Sequence, residues 1–395
     1  MLQSEVINIV KSTAPILAKE GEKITQLFYQ KLFVNHPELQ NVFNMTHQIQ
    51  GDQPRALADS VFKYASHIDK LEELGPLVKR IAHKHASLSV APEQYPVVGK
   101  YLLEAIGEHL NLPSDDPILS AWSDAYQQLA AIFVNTEEKI YSDNANKPGG
   151  WRGFRPFVIS KIVPEAEDVT SFYLEPEDGG DIVNFEPGQY VGVKIKKLGG
   201  EYDEIRQYSM SAAPSEPFYR ITVKSEASNV DYPGRVSHYI HKARIGDRLH
   251  LQPPTGDFTI ENNSEDLVLI SGGVGITPLL SMLLNRLDER GNGDGITFIL
   301  CCRNAAHHIM KDKLKALSKE YGFIYKVAYE KEEGADHQGY LDSAILNSWL
   351  KNRDANVYFC GPKPFMGALD NLLETLGYPK KQRHCEIFGP ATPLD

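Results

Sequence analysis

The chain has 395 residues, 42% hydrophobic and 24% charged, with a formal net charge of −11. That length exceeds what one core organises and predicts two or three domains, while the ordinary composition excludes a disordered chain. The acidic balance excludes a nucleic-acid partner, because the most basic run, Lys79 to Lys84, is interleaved with apolar residues and reads as the wet side of a helix.

The first third reads as helical. Val6, Ile9, Val10, Leu17, Ile24, Leu27, Phe28 and Phe33 recur at a helical period with a break expected near Gly21. Helical patterns resume over Gln53–Ile68, Leu74–Leu88, Tyr95–Leu110 and Ile118–Tyr141. Asn35-His36-Pro37, Gly75-Pro76, Ala91-Pro92 and Leu112-Pro113 punctuate them, since proline lacks an amide donor and restricts the residue before it. An all-α domain over 1–141 follows, and the polar, glycine-rich 142–153 reads as a linker.

Beyond it the period becomes that of strands. Phe157–Val163, Ser171–Leu174, Tyr190–Ile195, Gln207–Ser211, Tyr219–Val223 and Arg248–Gln252, with turns between them, predict a small antiparallel β-barrel over 154–262. From 263 to 395 strands alternate with helices: Leu267–Ser271 with Pro278–Arg290, Thr297–Cys301 with Lys311–Tyr321, and Val357–Cys360 with Phe365–Leu376. Such alternation predicts βαβ units on a parallel sheet. The sequence contains no internal repeat and no apolar stretch of the roughly 20 residues that span a bilayer. Its start lacks the basic and apolar regions of a secretory signal, and Cys301, Cys302, Cys360 and Cys385 have the spacing of neither a zinc site nor a disulfide framework. Reduced thiols in a cytoplasmic protein are expected.

Three features carry chemistry. Gly273, Val274, Gly275, Ile276, Thr277 and Pro278 follow a strand and open a helix, so backbone can approach a pyrophosphate at the positive helix end, with Pro278 suited to the first helical position. Cys360-Gly361-Pro362 ends a later strand, on the carboxyl edge of the sheet where ligands bind. Arg206 stands inside a strand pattern, where an unpaired buried cation would be costly. In the helical part His85 is a candidate iron ligand with His83, His47 and His67 as competitors, and residues two apart on a helix cannot serve one iron together.

The Arg206-Gln207-Tyr208-Ser209, Gly272-to-Pro278 and Cys360-Gly361-Pro362 motifs, in this order, resemble the ferredoxin–NADP reductase superfamily from about Phe154 onward. The resemblance implies that the barrel binds FAD and the α/β domain NADH or NADPH. It further implies that Arg206 neutralises the flavin pyrophosphate, Tyr208 packs on the isoalloxazine and Ser209 hydrogen-bonds near N5. Gln207 belongs to the same flavin motif. Tyr190, in Pro187-Gly188-Gln189-Tyr190, would be the adenine- or ribose-side aromatic, and Gly234-Arg235-Val236-Ser237 the second phosphate loop. Near the end, Glu386, Ile387, Phe388, Gly389 and Pro390 resemble a tail that brings an aromatic over the flavin, with Phe388 moving aside for hydride transfer.

Across almost the whole chain the sequence also resembles the bacterial flavohaemoglobins, in which a globin carrying one haem b is fused to that reductase. The segment Ile81-Ala82-His83-Lys84-His85 matches the proximal helix, with His85 as iron ligand. Tyr95 and Glu137 match the groups beside that ligand, where a carboxylate on the far imidazole N–H makes the ligand more basic. Glu138 competes for the role, and the usual preceding arginine is Thr136 here. Phe43 matches the phenylalanine against the porphyrin, Tyr29, Gln53 and Leu57 the distal pocket, and Lys84 with Glu386 a redox-tuning role. The implied activity is that of a nitric oxide dioxygenase: NAD(P)H reduces FAD, FAD reduces haem, and haem-bound O₂ oxidises NO to nitrate in a monomer. The alternatives are a haem-linked alkyl hydroperoxide or ferric reductase, a non-enzymatic O₂ carrier or sensor, and a plain flavin reductase whose helical domain holds no haem. Arg303, after the second α/β strand, faces where a 2′-phosphate would lie but does not alone decide NADPH over NADH.

Overall fold

The computed structural model describes residues 2–196, 200–226, 234–261 and 266–389; Pro390, assigned above to the flavin tail, lies outside the described residues. By internal packing the chain divides into one unit of Met1–Asn146 with Lys194–Arg206, and another containing Lys147–Val193 and Gln207–Gly389.

Helices α1 (Ser4–Ser12) and α2 (Ala14–Asn35) open the first unit, followed by the short α3 (Met45–Ile49). Then come α4 (Asp52–His67), α5 (Gly75–Leu88), α6 (Gln94–His109) and α7 (Pro117–Asn146). The break expected near Gly21 falls instead at Thr13. Pro15 restarts the helix there, and the buried Thr13 hydroxyl donates to the Val10 carbonyl (2.6 Å) and accepts from Trp122 Nε1 (3.2 Å). Gly21 stays helical because α2 crosses α4 closely: a Cβ at Gly21 would sit 3.3 Å from Ala58 Cβ. The helix end expected at Tyr141 is also displaced, since α7 runs to Asn146. Lys139 pairs with Asp143 (2.6 Å) and Ser142 with Glu138 (2.9 Å) one turn apart, and nothing breaks the helix before Pro148. Val10, Ile24, Phe28, Leu32, Ile106 and Ala125 form its core.

The second architecture is a six-stranded antiparallel sheet, with β1 (Arg155–Ala166), β2 (Val169–Pro176), β3 (Tyr190–Ile195), β4 (Glu204–Ser209), β5 (Tyr219–Lys224), helix α8 (Arg235–Lys242) and β6 (Arg248–Leu251). The strand order is β4-β3-β6-β1-β2-β5, and a bridge from Met210 to Ile221 joins its two edges, closing the sheet as a barrel. Trp151, expected in the linker, packs on Phe157 and donates to the Leu251 carbonyl at 3.1 Å.

The third architecture comprises β7 (Leu267–Gly272), α9 (Ile276–Arg290), β8 (Ile296–Cys302), α10 (Lys311–Tyr321), β9 (Ile324–Tyr329), β10 (His337–Gln338), α11 (Ser343–Trp349), β11 (Asn356–Cys360), α12 (Lys363–Thr375) and β12 (Arg383–Glu386). Its strands run parallel in the order β10-β9-β8-β7-β11-β12. The pattern revealed β7, β8 and β11, which are buried; β12 closes one edge with a mostly polar Arg-His-Cys-Glu and β10 is two residues long, so neither carries a hydrophobic signature.

Candidate active site

On α5, His85 sits one turn before the helix end, where Ser89 turns into the left-handed region (φ 59°) and the Val90 N–H bonds the His85 carbonyl. Its Nδ1 lies 2.7 Å from Glu137 Oε1 and 3.1 Å from the Tyr95 hydroxyl. The Tyr95 hydroxyl in turn donates to Glu137 Oε1 at 2.5 Å. Helices α5, α6 and α7 thus each contribute one member of a proton-sharing cluster. Phe133 stacks on Tyr95 and tilts over His85, covering one side of the group. Glu137 is 2% exposed and contacts His85, whereas Glu138 is exposed. Burial, followed by the Glu137 charge, drives the Tyr95 phenol far above its ordinary pKa, so it remains a donor. With Nδ1 engaged, His85 Nε2 has no hydrogen-bond partner among the described residues and is left for a metal. The competing His67 binds the Lys63 carbonyl at 3.0 Å, and His47 contacts Asn44 Nδ2 at 3.1 Å. Burial, with the charges of Lys84 and Arg206 adding to it, pushes His47 down to about 4.

Tyr29, 7% exposed, lies between Phe33 (centroids 5.8 Å) and Phe43 (5.7 Å), and Leu57 packs on the same cluster. Burial raises the Tyr29 pKa strongly, and the Gln48 and Gln53 side chains nearby partly oppose it. Gln53 was anticipated. Gln48 was not: it lies on the five-residue α3, too short for a helical period, announced only by Asn44, whose side chain caps the Thr46 N–H at 3.1 Å.

On the barrel, Arg206, Gln207, Tyr208 and Ser209 are consecutive in β4. Arg206 pairs with Glu204 at 3.0 Å and donates to the Ile205 carbonyl at 2.8 Å, so the cation inside the strand has partners. Tyr208 is half-buried and Ser209 buried. Tyr190 exchanges backbone hydrogen bonds with Thr255 (2.8 and 2.9 Å), and Gly256 lets its ring lie against the chain.

In the α/β unit, Gly273–Gly275 forms a single tight turn before α9. Pro278 occupies the third helical position rather than the first, still within the turn whose N–H groups lack helical acceptors. Ile276, Thr277 and Pro278 are buried, which leaves ligand contact to the backbone of Gly273 and Val274. A Cβ at Gly275 would fall 2.2 Å from the Cys360 carbonyl, and one at Gly361 3.0 Å from Gly272 Cα. The turns after β7 and β11 therefore nest at the carboxyl edge. Cys360 is fully buried, its thiol raised well above its usual pKa by burial and then by the Glu386 charge, and Sγ contacts the Glu386 carbonyl at 3.4 Å. Ile387 packs on the neighbouring core, while Phe388 is 48% exposed. Arg303 Nη1 lies 3.2 Å from His307 Nε2.

A globin-type helical unit with an anchored histidine, joined to a barrel and a nucleotide-type sheet, defines a globin–reductase fusion. Family descriptions match in the same order: Globin at residues 26–133, Oxidoreductase FAD-binding domain at 156–260 and Oxidoreductase NAD-binding domain at 269–371. The flavohemoprotein of Halalkalibacterium halodurans is 46% identical over 404 aligned positions, covering all of this chain and 98% of that one, and that of Pseudomonas aeruginosa is 43% identical over the full length of both. The crystal structure of a flavohemoglobin from Malassezia yamatoensis, with bound FAD and heme, superposes with a TM-score of 0.86 at 27% identity, covering 98% of this chain and all of that one. The FAD/NAD-binding domain of a nitric oxide dioxygenase from Vibrio cholerae matches 60% of this chain and all of its own length at 38% identity, TM-score 0.56. The chain belongs to the flavohemoprotein family.

With haem iron held on His85 Nε2, Glu137→Gln would remove the charge beside Nδ1 and make the imidazole a weaker donor to that iron, so the ferric state would lose support. The ferric–ferrous midpoint potential should rise in a spectroelectrochemical titration; an unchanged or lower potential would remove Glu137 from redox control.

Proposed function

We propose that this protein is a nitric oxide dioxygenase in which NAD(P)H, FAD and haem act in series. The His85–Glu137–Tyr95 cluster carries the reading, because a histidine backed by a carboxylate suits activation of dioxygen better than its storage. The residues fit the groups required: His85 keeps Nε2 free among the described residues, a buried Gln48 Nε2 lies unbonded in the distal set, and Gly273 leaves open space beside the turn that begins α9. When bound, haem supplies a site where dioxygen meets nitric oxide, and flavin divides a hydride into single electrons.

The chain's own residues do the rest. Glu137 and Tyr95 hold the proton on His85 Nδ1 and fix the ring. Tyr29 offers its O–H to the distal ligand in a pocket kept apolar by Phe43 and Leu57. Arg206 neutralises phosphate, Tyr208 packs on the flavin and Tyr190 on its adenine or ribose side, Ser209 bonds near N5, and Gln207 belongs to the same flavin-binding strand. The turn from Gly273 to Pro278 receives the dinucleotide pyrophosphate on the backbone N–H groups of Gly273 and Val274. Lys84 and Glu386 tune the potentials of the two centres, and the Ile387–Phe388–Gly389 tail covers the flavin until the nicotinamide displaces it. The overall balance consumes one NADH with two molecules each of nitric oxide and dioxygen, giving two nitrates, NAD⁺ and a proton.

One chain carries every site, so it acts as a monomer on small diffusing substrates. Among the described residues no helix is long and apolar enough to cross a membrane, and the four cysteines are free thiols, which suits the reducing cytoplasm. The decisive measurement is aerobic NADH oxidation with added NO, scoring nitrate together with haem and flavin content. Stoichiometric nitrate is expected; faster turnover with alkyl hydroperoxide or ferric ion, and no nitrate, would transfer the assignment to a reductase.

A further inference from the structure

A dinucleotide whose pyrophosphate sits on the turn after β7 has its two halves on opposite sides of that turn. The sheet order β8-β7-β11 puts the turn in the middle, with Cys360-Gly361-Pro362 on the β11 side. A nicotinamide on that side sends the adenosine over the end of β8, the adjacent strand, where Cys301 pairs with Gly272. The residue that follows β8 is Arg303, and it is exposed. Its side chain is held in place: Nη1 donates to His307 Nε2 at 3.2 Å. An arginine can only donate, so that ring nitrogen carries no proton, and Nδ1–H donates to Asn304 Oδ1 at 2.6 Å. The histidine is a neutral prop for the guanidinium. The loop beneath them is pinned as well. His308, 3% exposed, bonds the Tyr329 hydroxyl at 2.8 Å and the Tyr325 hydroxyl at 2.6 Å. The Lys331 N–H reaches the Arg303 carbonyl at 3.1 Å, and Glu332 accepts from the Ala305 N–H at 2.8 Å. Among the described residues no carboxylate pairs with Arg303; Glu167 comes to 3.8 Å of His307 Nε2 instead. The other guanidinium N–H groups are therefore left for an oxyanion.

We propose that Arg303, propped by His307, binds the 2′-phosphate of the adenosine ribose and favours NADPH over NADH as hydride donor. An acidic side chain at this place would bond the free 2′-hydroxyl of NADH, whereas a guanidinium forks onto phosphate with two parallel bonds. The inference rests on the nucleotide site at Gly273 and Val274.

The test uses the full-length, cofactor-loaded protein and two nucleotides that differ only in the 2′-phosphate, 2′,5′-ADP and 5′-AMP. Isothermal titration calorimetry should find 2′,5′-ADP bound about 10-fold or more tightly, the size of one charge-assisted contact, with the gap shrinking as salt is raised. In Arg303→Gln the gap should close. Arg303→Lys, which keeps the charge but not the fork, should fall between. The ratio of kcat/KM for NADPH to that for NADH should drop in Arg303→Gln by the same factor. If 2′,5′-ADP binds no more tightly than 5′-AMP to the unmodified protein, the proposal fails; continued reduction of the flavin by NADH would then leave the nucleotide site standing. Absence of flavin reduction by either coenzyme would remove that site and this inference together. An equal loss of both nucleotides in Arg303→Gln would mark a purely structural side chain and also overturn the proposal. The comparison in the unmodified protein needs no variant, so a misfolded Arg303→Gln does not shelter the proposal.

Discussion

Tyr29→Phe should accelerate dioxygen dissociation from the ferrous protein by about 10- to 100-fold, while reduction of the flavin by NADH is unchanged. A hydrogen bond to a charged or partly charged acceptor contributes about 1.5–3 kcal/mol, and about 1.4 kcal/mol is a decade in rate. The upper end applies because Tyr29 is 7% exposed and set among Phe28, Phe33 and Phe43, where water cannot replace the lost donor. Phenylalanine fills the same ring volume, so little packing changes with the hydroxyl. Flash photolysis or stopped-flow displacement of O₂ by CO measures the rate. An unchanged rate would remove Tyr29 from the distal pocket.

The second large effect is expected at the flavin. Arg206→Ala should weaken FAD binding about 100-fold or more and abolish NADH oxidation, with the haem spectrum retained. A guanidinium–phosphate contact is charge-assisted and two-pronged, and alanine removes both prongs. The substitution also strips Glu204, 9% exposed, of its ion-pair partner at 3.0 Å, so part of the cost will appear as lower stability of the barrel. Arg206→Lys separates the two contributions: the charge beside Glu204 survives and the planar fork does not. Retention should therefore fall in the order Arg, Lys, Ala, measured as FAD per protein after gel filtration. Full flavin content in Arg206→Ala would contradict the assignment.

Much of the candidate site is legible in the sequence. The strand holding Arg206 to Ser209, the turn from Gly273 to Pro278 and the helix bearing His85 are encoded in residues near one another, and local sequence governs local conformation. Turn chemistry and hydrophobic period are short-range, which is why β3, β5, β7, β8, α4 and α6 emerge nearly at their observed bounds.

What remained ambiguous depends on neighbours distant along the chain. Periodicity alone ranks His85 no higher than His83, and Glu137 no higher than Glu138. Packing of α5 against α7 brings together residues 52 positions apart and buries one glutamate while exposing the next. The Gly21 error has the same origin: glycine reads as a helix breaker, yet here it provides room for Ala58 on another helix. Gln48 shows the limit most clearly, because α3 is too short to have a period and only folding brings its side chain near Tyr29. The chain's order of residues thus determined its elements, its architecture and the chemistry each motif can support. Only tertiary packing decided which candidate is desolvated, which partner it meets and where its proton must point, since burial and hydrogen-bond direction are properties of the assembled interior.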